Sequence, residues 1–176
     1  MRDIYITEKV LELYQRCDIH TFPVDCIDIL HKLDCRVYSF SYLNKHHPKL
    51  YTYCMRFSDD GLKYRDIVIY NDRHAQSRIR FTLAHEIGHI ILEHTALTPH
   101  CEQEANAFAA HLLAPMPLIY YYNCQNASDI SKKFGLSAPA SEIAWSDYLK
   151  WQHEKYCDAD IQMFQLIAHF DTLTST

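Results

Sequence analysis

The stretch that decides the fold is residues 80–94, which read Arg80-Phe-Thr-Leu-Ala-His85-Glu-Ile-Gly-His89-Ile-Ile-Leu-Glu-His94. At about 100° per residue, five of its polar side chains fall on a single arc of roughly 100°, and five apolar side chains fill the opposite side. This division predicts an amphipathic helix from about His74 to Glu93. The polar face carries Thr82, His85, Glu86, His89 and Glu93, and the apolar face carries Leu83, Ala84, Ile87, Ile90 and Ile91.

The polar face contains the pattern HExxH. His85 and His89 are four residues apart and project from successive turns of one face, as chelation of one metal ion by a single helix requires. Glu86 points beside such a metal ion and not at it. That position suits a carboxylate accepting a proton from water whose pKa a zinc ion has lowered. The pattern therefore predicts a Zn²⁺ site with Glu86 as the catalytic base.

A catalytic zinc ion needs a third protein ligand and one position open to water. Glu102 and Glu104 open the next predicted helix, about 200° apart, so only one of them can face the site. We favour Glu102, because it shares its face with Asn106, whose amide could hold a ligand side chain in place. Glu104 is the alternative ligand. Glutamates at a helix start also complement the helix dipole, which explains a charge here but not the pairing with a metal helix.

Other possible ligands follow the motif. We interpret His94 and His100 as surface residues or as polar residues satisfied within the fold. Cys101 is adjacent to Glu102 and could bind zinc, but a structural thiol is the favoured interpretation.

The rest of the chain predicts a mainly helical α+β fold. A helical period covers residues 7–16, and a second helix follows with Pro23 in its first turn. Period-two patterns over Arg36–Tyr42 and Tyr51–Phe57 predict strands, and Arg65–Tyr70 predicts the returning strand. Only three glycines are present, which disfavours a turn-rich all-β fold. We expect a small antiparallel sheet packed on the HExxH helix.

Composition excludes several classes of protein. The net charge of −5 and the pI of about 6.1 disfavour direct nucleic-acid binding. No apolar run approaches the roughly 18 residues that span a bilayer, and the first residues lack the pattern of a secretion signal. Seven widely spaced cysteines without a CxxC pair indicate reduced thiols. We therefore expect a cytoplasmic protein without a membrane partner.

Residues 80–94, followed by Glu102-Gln-Glu-Ala-Asn-Ala-Phe-Ala-Ala-His-Leu-Leu-Ala-Pro115, closely resemble the ImmA/IrrE family of zinc metallopeptidases. The strand Asp66–Asn71 also looks like that family, and the likeness covers about residues 20–148. In the family, HExxH supplies two ligands and the base, and the first Glu of an ExxA(N/D) stretch, here Glu102, is the third ligand. The resemblance implies a gluzincin-like fold and a cytoplasmic enzyme of mobile elements or stress responses that cleaves a helix-turn-helix repressor.

The expected organisation is one zincin-like domain over residues 1–150 and a helical extension or tail over residues 151–176. The domain ends in an element, about 126–150, that reads like a helix-turn-helix. Its second helix offers Pro139, Glu142, Trp145 and Asp147 where a DNA-reading helix would carry Arg, Lys, Asn or Gln. We therefore favour a packing or partner-docking role for this element.

Metallopeptidases of this kind hold the substrate by adding it to an edge strand above the active-site helix. The candidate strand is Arg65–Asn71, just before the metal helix, and its free pairing row is a prediction. The substrate-binding residues would be Ile67, Val68, Ile69, Tyr70 and Asn71.

Two functions fit these observations. The first is a zinc-dependent endopeptidase acting on a protein substrate, in particular a helix-turn-helix repressor. The second is a non-proteolytic, zinc-containing regulatory module that binds a transcription factor or a toxin–antitoxin partner. The sequence favours hydrolysis, because Glu86 is not needed as a ligand and yet stands at the catalytic position.

Overall fold

The computed structural model describes residues 4–96, 98–153 and 158–174. The chain forms two compact units. The helical unit lies within Met1–Val24 and Asn106–Thr176, and the sheet unit is Asp25–Ala105. The predicted boundary near residue 150 stays a prediction.

In chain order, the elements are α1 Ile4–Cys17, α2 Cys26–Lys32, β1 Arg36–Ser39, α3 Phe40–His46, α4 Pro48–Cys54, β2 Gly61–Tyr64, β3 Ile67–Tyr70, α5 Gln76–Ile91, α6 Pro99–Leu113, α7 Met116–Tyr121, α8 Ala127–Phe134, α9 Ala138–Trp151 and α10 Asp158–Thr174. The mainly helical α+β prediction is confirmed. The sheet is mixed and not purely antiparallel.

The sheet has the strand order β1-β3-β2. β3 pairs in parallel with β1, from Arg36 opposite Ile67 to Ser39 opposite Tyr70. On its other side β3 pairs antiparallel with β2, from Gly61 opposite Tyr70 onwards. The prediction that β3 is a free edge strand is therefore wrong, since both of its sides are used. The correction applies to Ile67, Val68, Ile69, Tyr70 and Asn71, the last of which donates its backbone N–H to Asp60 O at 2.8 Å.

The predicted strand over Tyr51–Phe57 is also wrong, because Pro48 begins the helix α4 instead. Proline suits the first helical turn, where its missing N–H would have no intrahelical partner. Tyr51 and Met55 are four residues apart and pack on a core formed by α3, α4 and β3. The buried members of that core are Phe40, Leu43, Cys54 and Ile69.

α5 is the predicted amphipathic helix, and its apolar face anchors it within the sheet unit. The helix packs against α2, β2 and β3. Leu83, Ala84 and Ile87 are buried along this face. Burying one leucine or isoleucine side chain contributes about 1.5–3 kcal/mol, so this face fixes the rotation of α5 about its axis.

The helical unit is held by packing among α1, α7, α8, α9 and α10. The hydroxyl of Tyr14 donates to the Leu112 carbonyl oxygen at 2.8 Å, which ties α1 to α6. The element predicted to resemble a helix-turn-helix is the pair α8 and α9, which are separated by residues 135–137, with Gly135 at φ 67°. In the described ranges, no helix combines the length and apolar character needed to cross a membrane.

Gly61 should be intolerant of any side chain. An ideal Cβ at this position would lie 2.5 Å from the backbone oxygen of Ile69 and 3.1 Å from Cγ2 of Thr82. We expect Gly61→Ala to lower the free energy of unfolding by about 1–3 kcal/mol, because the new methyl group pushes β2 away from β3. Urea denaturation of the two proteins measures this difference. A change within about 0.5 kcal/mol, as at an ordinary surface position, would contradict the close contact.

Candidate metal centre

His85, His89 and Glu102 converge within the sheet unit, and we call this group the first cluster. The Nε2 atoms of the two histidines are 3.0 Å apart. Glu102 places Oε2 at 3.3 Å from Nε2 of His85 and Oε1 at 3.4 Å from Nε2 of His89. The histidines come from one face of α5, and the glutamate comes from the first turn of α6.

These separations fit a tetrahedral zinc ion. Zinc bonds of about 2.0–2.1 Å require neighbouring ligand atoms about 3.3 Å apart. The first cluster offers atoms 3.0 to 3.4 Å apart. Two imidazoles and one carboxylate are also the donor set of many catalytic zinc sites, with the fourth position left to water.

The environment of His89 keeps its imidazole ready to bind a metal. Its side chain is only 7% exposed. Burial, followed by the neighbouring His85, holds the pKa of His89 below its usual value. A neutral ring is the form that coordinates metals. The other ring nitrogen, Nδ1, lies 2.9 Å from Nδ1 of His94, and such a hydrogen bond fixes the orientation of a ligand ring.

Glu86 is the carboxylate that sequence reasoning assigns as the base. Burial raises its pKa from the ordinary 4.5 to about 7; the positive charge of Lys63 lowers it, and the negative charge of Glu102 raises it. A pKa near neutrality suits a group that both accepts and returns a proton. Lys63 was not among the predicted site residues, because no strand was predicted over Gly61–Tyr64, the range of β2.

The two glutamates of α6 lie apart, as their spacing predicts. Glu102 contacts the histidines of α5, whereas Oε2 of Glu104 is 3.3 Å from Nε2 of His94. Asn106 is exposed on α6, and its role in holding a ligand stays a prediction. The His94 side chain is only 8% exposed, so its interpretation as a residue satisfied within the fold describes it better than a surface position.

The end of α5 places His94 beside His89. The N–H of His94 donates to the His89 carbonyl oxygen at 3.0 Å. The N–H of Glu93 donates to the Ile90 carbonyl oxygen at 3.2 Å. Glu93 has φ 54°. These features define a Schellman motif, which normally has glycine at the left-handed position. Folding the backbone back on the last turn brings the two imidazoles together.

Comparison with known proteins identifies the family. The family model of the IrrE N-terminal-like domain, Peptidase_M78, matches residues 33–146, well over half of the 176 residues. The chain belongs to this family. The predicted resemblance to ImmA/IrrE proteins is thus confirmed, and membership of Peptidase_M78 implies a peptidase. No curated protein matches the chain.

Within the IrrE N-terminal-like domain, the matched range contains the whole first cluster together with Glu86 and Lys63. It also runs on through α8 and into α9. The segments before residue 33 and after residue 146 lie outside the match.

The raised pKa of Glu86 predicts a stability difference in the metal-free protein. Its folded-state value of about 7 lies above 4.5, so the folded chain binds more protons than the unfolded chain between these values, and stability falls as pH rises through them. Glutamine stays neutral throughout. We expect Glu86→Gln to exceed wild type in stability by about 3 kcal/mol above pH about 7, and by little below pH about 4.5.

Urea denaturation across this pH range, in the presence of a chelator, measures the difference. Glu142→Gln, which changes an exposed glutamate on α9, is the matched control. Parallel pH profiles for wild type and Glu86→Gln would contradict the burial of an ionisable Glu86.

Proposed function

We propose that the protein is a zinc-dependent endopeptidase in which His85, His89 and Glu102 hold the metal ion and Glu86 is the general base. The observation that carries this proposal is the convergence of three side chains: the two histidine Nε2 atoms are 3.0 Å apart, and the Glu102 carboxylate places one oxygen 3.3 Å from the first and the other oxygen 3.4 Å from the second. Glu86 follows His85 directly on α5 and is therefore beside the ligands.

A zinc ion bound to these residues would acidify a water molecule and polarise the scissile carbonyl. Glu86 then accepts the proton of the attacking water and delivers it to the departing amide nitrogen. Lys63 favours the ionised form of Glu86, and so would the charge of a metal ion. The carboxylate is thus available as a base at neutral pH.

The number of ligands supports a catalytic and not a structural site. Among the described residues, the first cluster consists of three side chains. Structural zinc sites usually close with four protein ligands, often cysteines, whereas catalytic sites keep one position for water. The Glu86 carboxylate is not one of the three ligands, which leaves it for proton transfer.

In this proposal the substrate binds along β2, and not along β3, which was wrongly predicted to be an edge strand. In the described sheet, β2 pairs with β3 alone, so its outer side is an edge. β2 also packs against α5, and its residue Lys63 acts electrostatically on Glu86. A substrate segment added to this edge by main-chain hydrogen bonds would run past the base.

The proposed substrate is a helix-turn-helix repressor of a mobile element or a stress response. The support is the resemblance of residues 80–94 and Glu102–Pro115 to the ImmA/IrrE family. We also propose a cytoplasmic location for the protein, where it would meet this substrate. The six cysteines in the described ranges are free thiols, as expected in a reducing compartment.

The test separates metal binding from proton transfer. We expect Glu86→Gln to bind zinc at the first cluster as wild type does, because the amide replaces no ligand, and to cut the repressor encoded beside its gene about 10²–10⁴-fold more slowly. His85→Ala should cut no substrate, because it loses a ligand. Elemental analysis and electrophoresis of the repressor after incubation measure both properties.

Glu142→Gln serves as the control and should cleave as wild type does. Cleavage by Glu86→Gln at the wild-type rate would contradict the role of Glu86. If wild type binds zinc and the repressor without cutting it, the protein is instead the non-proteolytic regulatory module.

A further inference from the structure

A second group of possible metal ligands lies next to the first cluster. His94, Cys101 and Glu104 each offer one ligand atom, and these atoms all lie within 4.8 Å of one another. Nε2 of His94 is 3.3 Å from Oε2 of Glu104, which is again the edge length of a tetrahedral zinc site. We call these three residues the second cluster.

Backbone structure brings the second cluster together from two elements. The Schellman motif at the end of α5 presents His94. Cys101 and Glu104 are three residues apart on α6 and therefore share a face. The Thr98 hydroxyl oxygen lies 3.1 Å from Sγ of Cys101 and accepts the Cys101 N–H at 3.2 Å, which holds the thiol near the glutamate.

We propose that the second cluster is a separate metal site that takes a thiophilic divalent cation, with Zn²⁺ the best match. A thiolate and an imidazole favour zinc over magnesium or calcium, which prefer oxygen ligands alone. Nε2 of His100 lies 3.5 Å from the same Glu104 oxygen, but His100 is outside the group of three whose ligand atoms all lie within 4.8 Å of one another, so the proposed site has three protein ligands. Nothing in the endopeptidase mechanism uses Cys101, Glu104 or His100.

The two clusters share one hydrogen bond, between Nδ1 of His89 and Nδ1 of His94 at 2.9 Å. Such a hydrogen bond uses one hydrogen, which either ring can carry. When a metal ion is bound to Nε2 of His89, the hydrogen of the shared bond is on Nδ1 of His89, and Nδ1 of His94 accepts it. The neutral His94 ring then has its hydrogen on Nε2, the atom that faces Glu104, and this nitrogen cannot bind a metal ion. A metal ion on Nε2 of His94 requires the reverse arrangement. Filling one cluster therefore weakens metal binding at the other.

Cobalt(II) binding tests the site without any measurement of peptidase activity. Co²⁺ bound to a thiolate gives a near-ultraviolet charge-transfer band, and among the ligands of both clusters only Cys101 contains sulfur. We expect His85→Ala, in which the first cluster has lost a ligand, to show this band on titration with Co²⁺. The band should be lost in His85→Ala/Cys101→Ser and weakened in His85→Ala/Glu104→Gln.

Cys35→Ser in the same His85→Ala background is the matched control and should keep the band, because Cys35 is buried and donates to Leu33 O. Circular dichroism checks that each variant is folded. Absence of the band in folded His85→Ala, or its persistence without Cys101, would overturn the site. Either result leaves the first cluster and the cleavage test unaffected.

Competition is measured in the wild-type protein. One equivalent of Zn²⁺ is bound first, an equal Zn²⁺ affinity of Cys101→Ser shows that it occupies the first cluster, and Co²⁺ is then added. We expect Co²⁺ to bind the second cluster about 5–150-fold more weakly than in His85→Ala, the range of typical coupling between sites. Equal affinity in the two proteins would overturn the competition between the clusters.

Discussion

The two faces of α5 are the constraint on which the rest of the structure depends. Its apolar face must meet β2, β3 and α2, and this burial leaves one rotation of the helix about its axis. That rotation places His85 and His89 on successive turns of the opposite face. Because hydrophobic burial fixes the helix, two ligands stay close together without help from a bound ion, whose binding then costs less reordering of the protein.

Electrostatics at the site reflect a compromise between burial and charge. A carboxylate beside the ligands is costly to ionise when it is withdrawn from water, as the raised pKa of Glu86 shows. Lys63 offsets part of that cost, while Glu102 adds to it. The pKa of Glu86 therefore lies near neutrality. The same burial lowers the pKa of His89 and so favours its neutral ring, which means that one feature of the environment serves both base and ligand.

The sequence allowed α5, α6, the family and the mainly helical fold to be predicted, because all of these depend on local periodicity or on a motif. Pairing between distant segments has no local signal, and so the position of β3 between β1 and β2 was missed. The prediction of a strand over Tyr51–Phe57 was wrong for another reason. Apolar residues at every second position are also four apart, which suits a helix equally well, and Pro48 decided the outcome.

His94 reaches His89 through the final turn of a helix, and not through an element buried in the core. Helix ends open locally at a lower free energy than the core around them. A brief opening after His89 would break the backbone bond from His94 and separate the two imidazoles, while the anchored part of α5 stayed in place. The hydrogen bond between the two rings should therefore break and re-form as this single turn opens and closes, on a timescale far shorter than that of global unfolding.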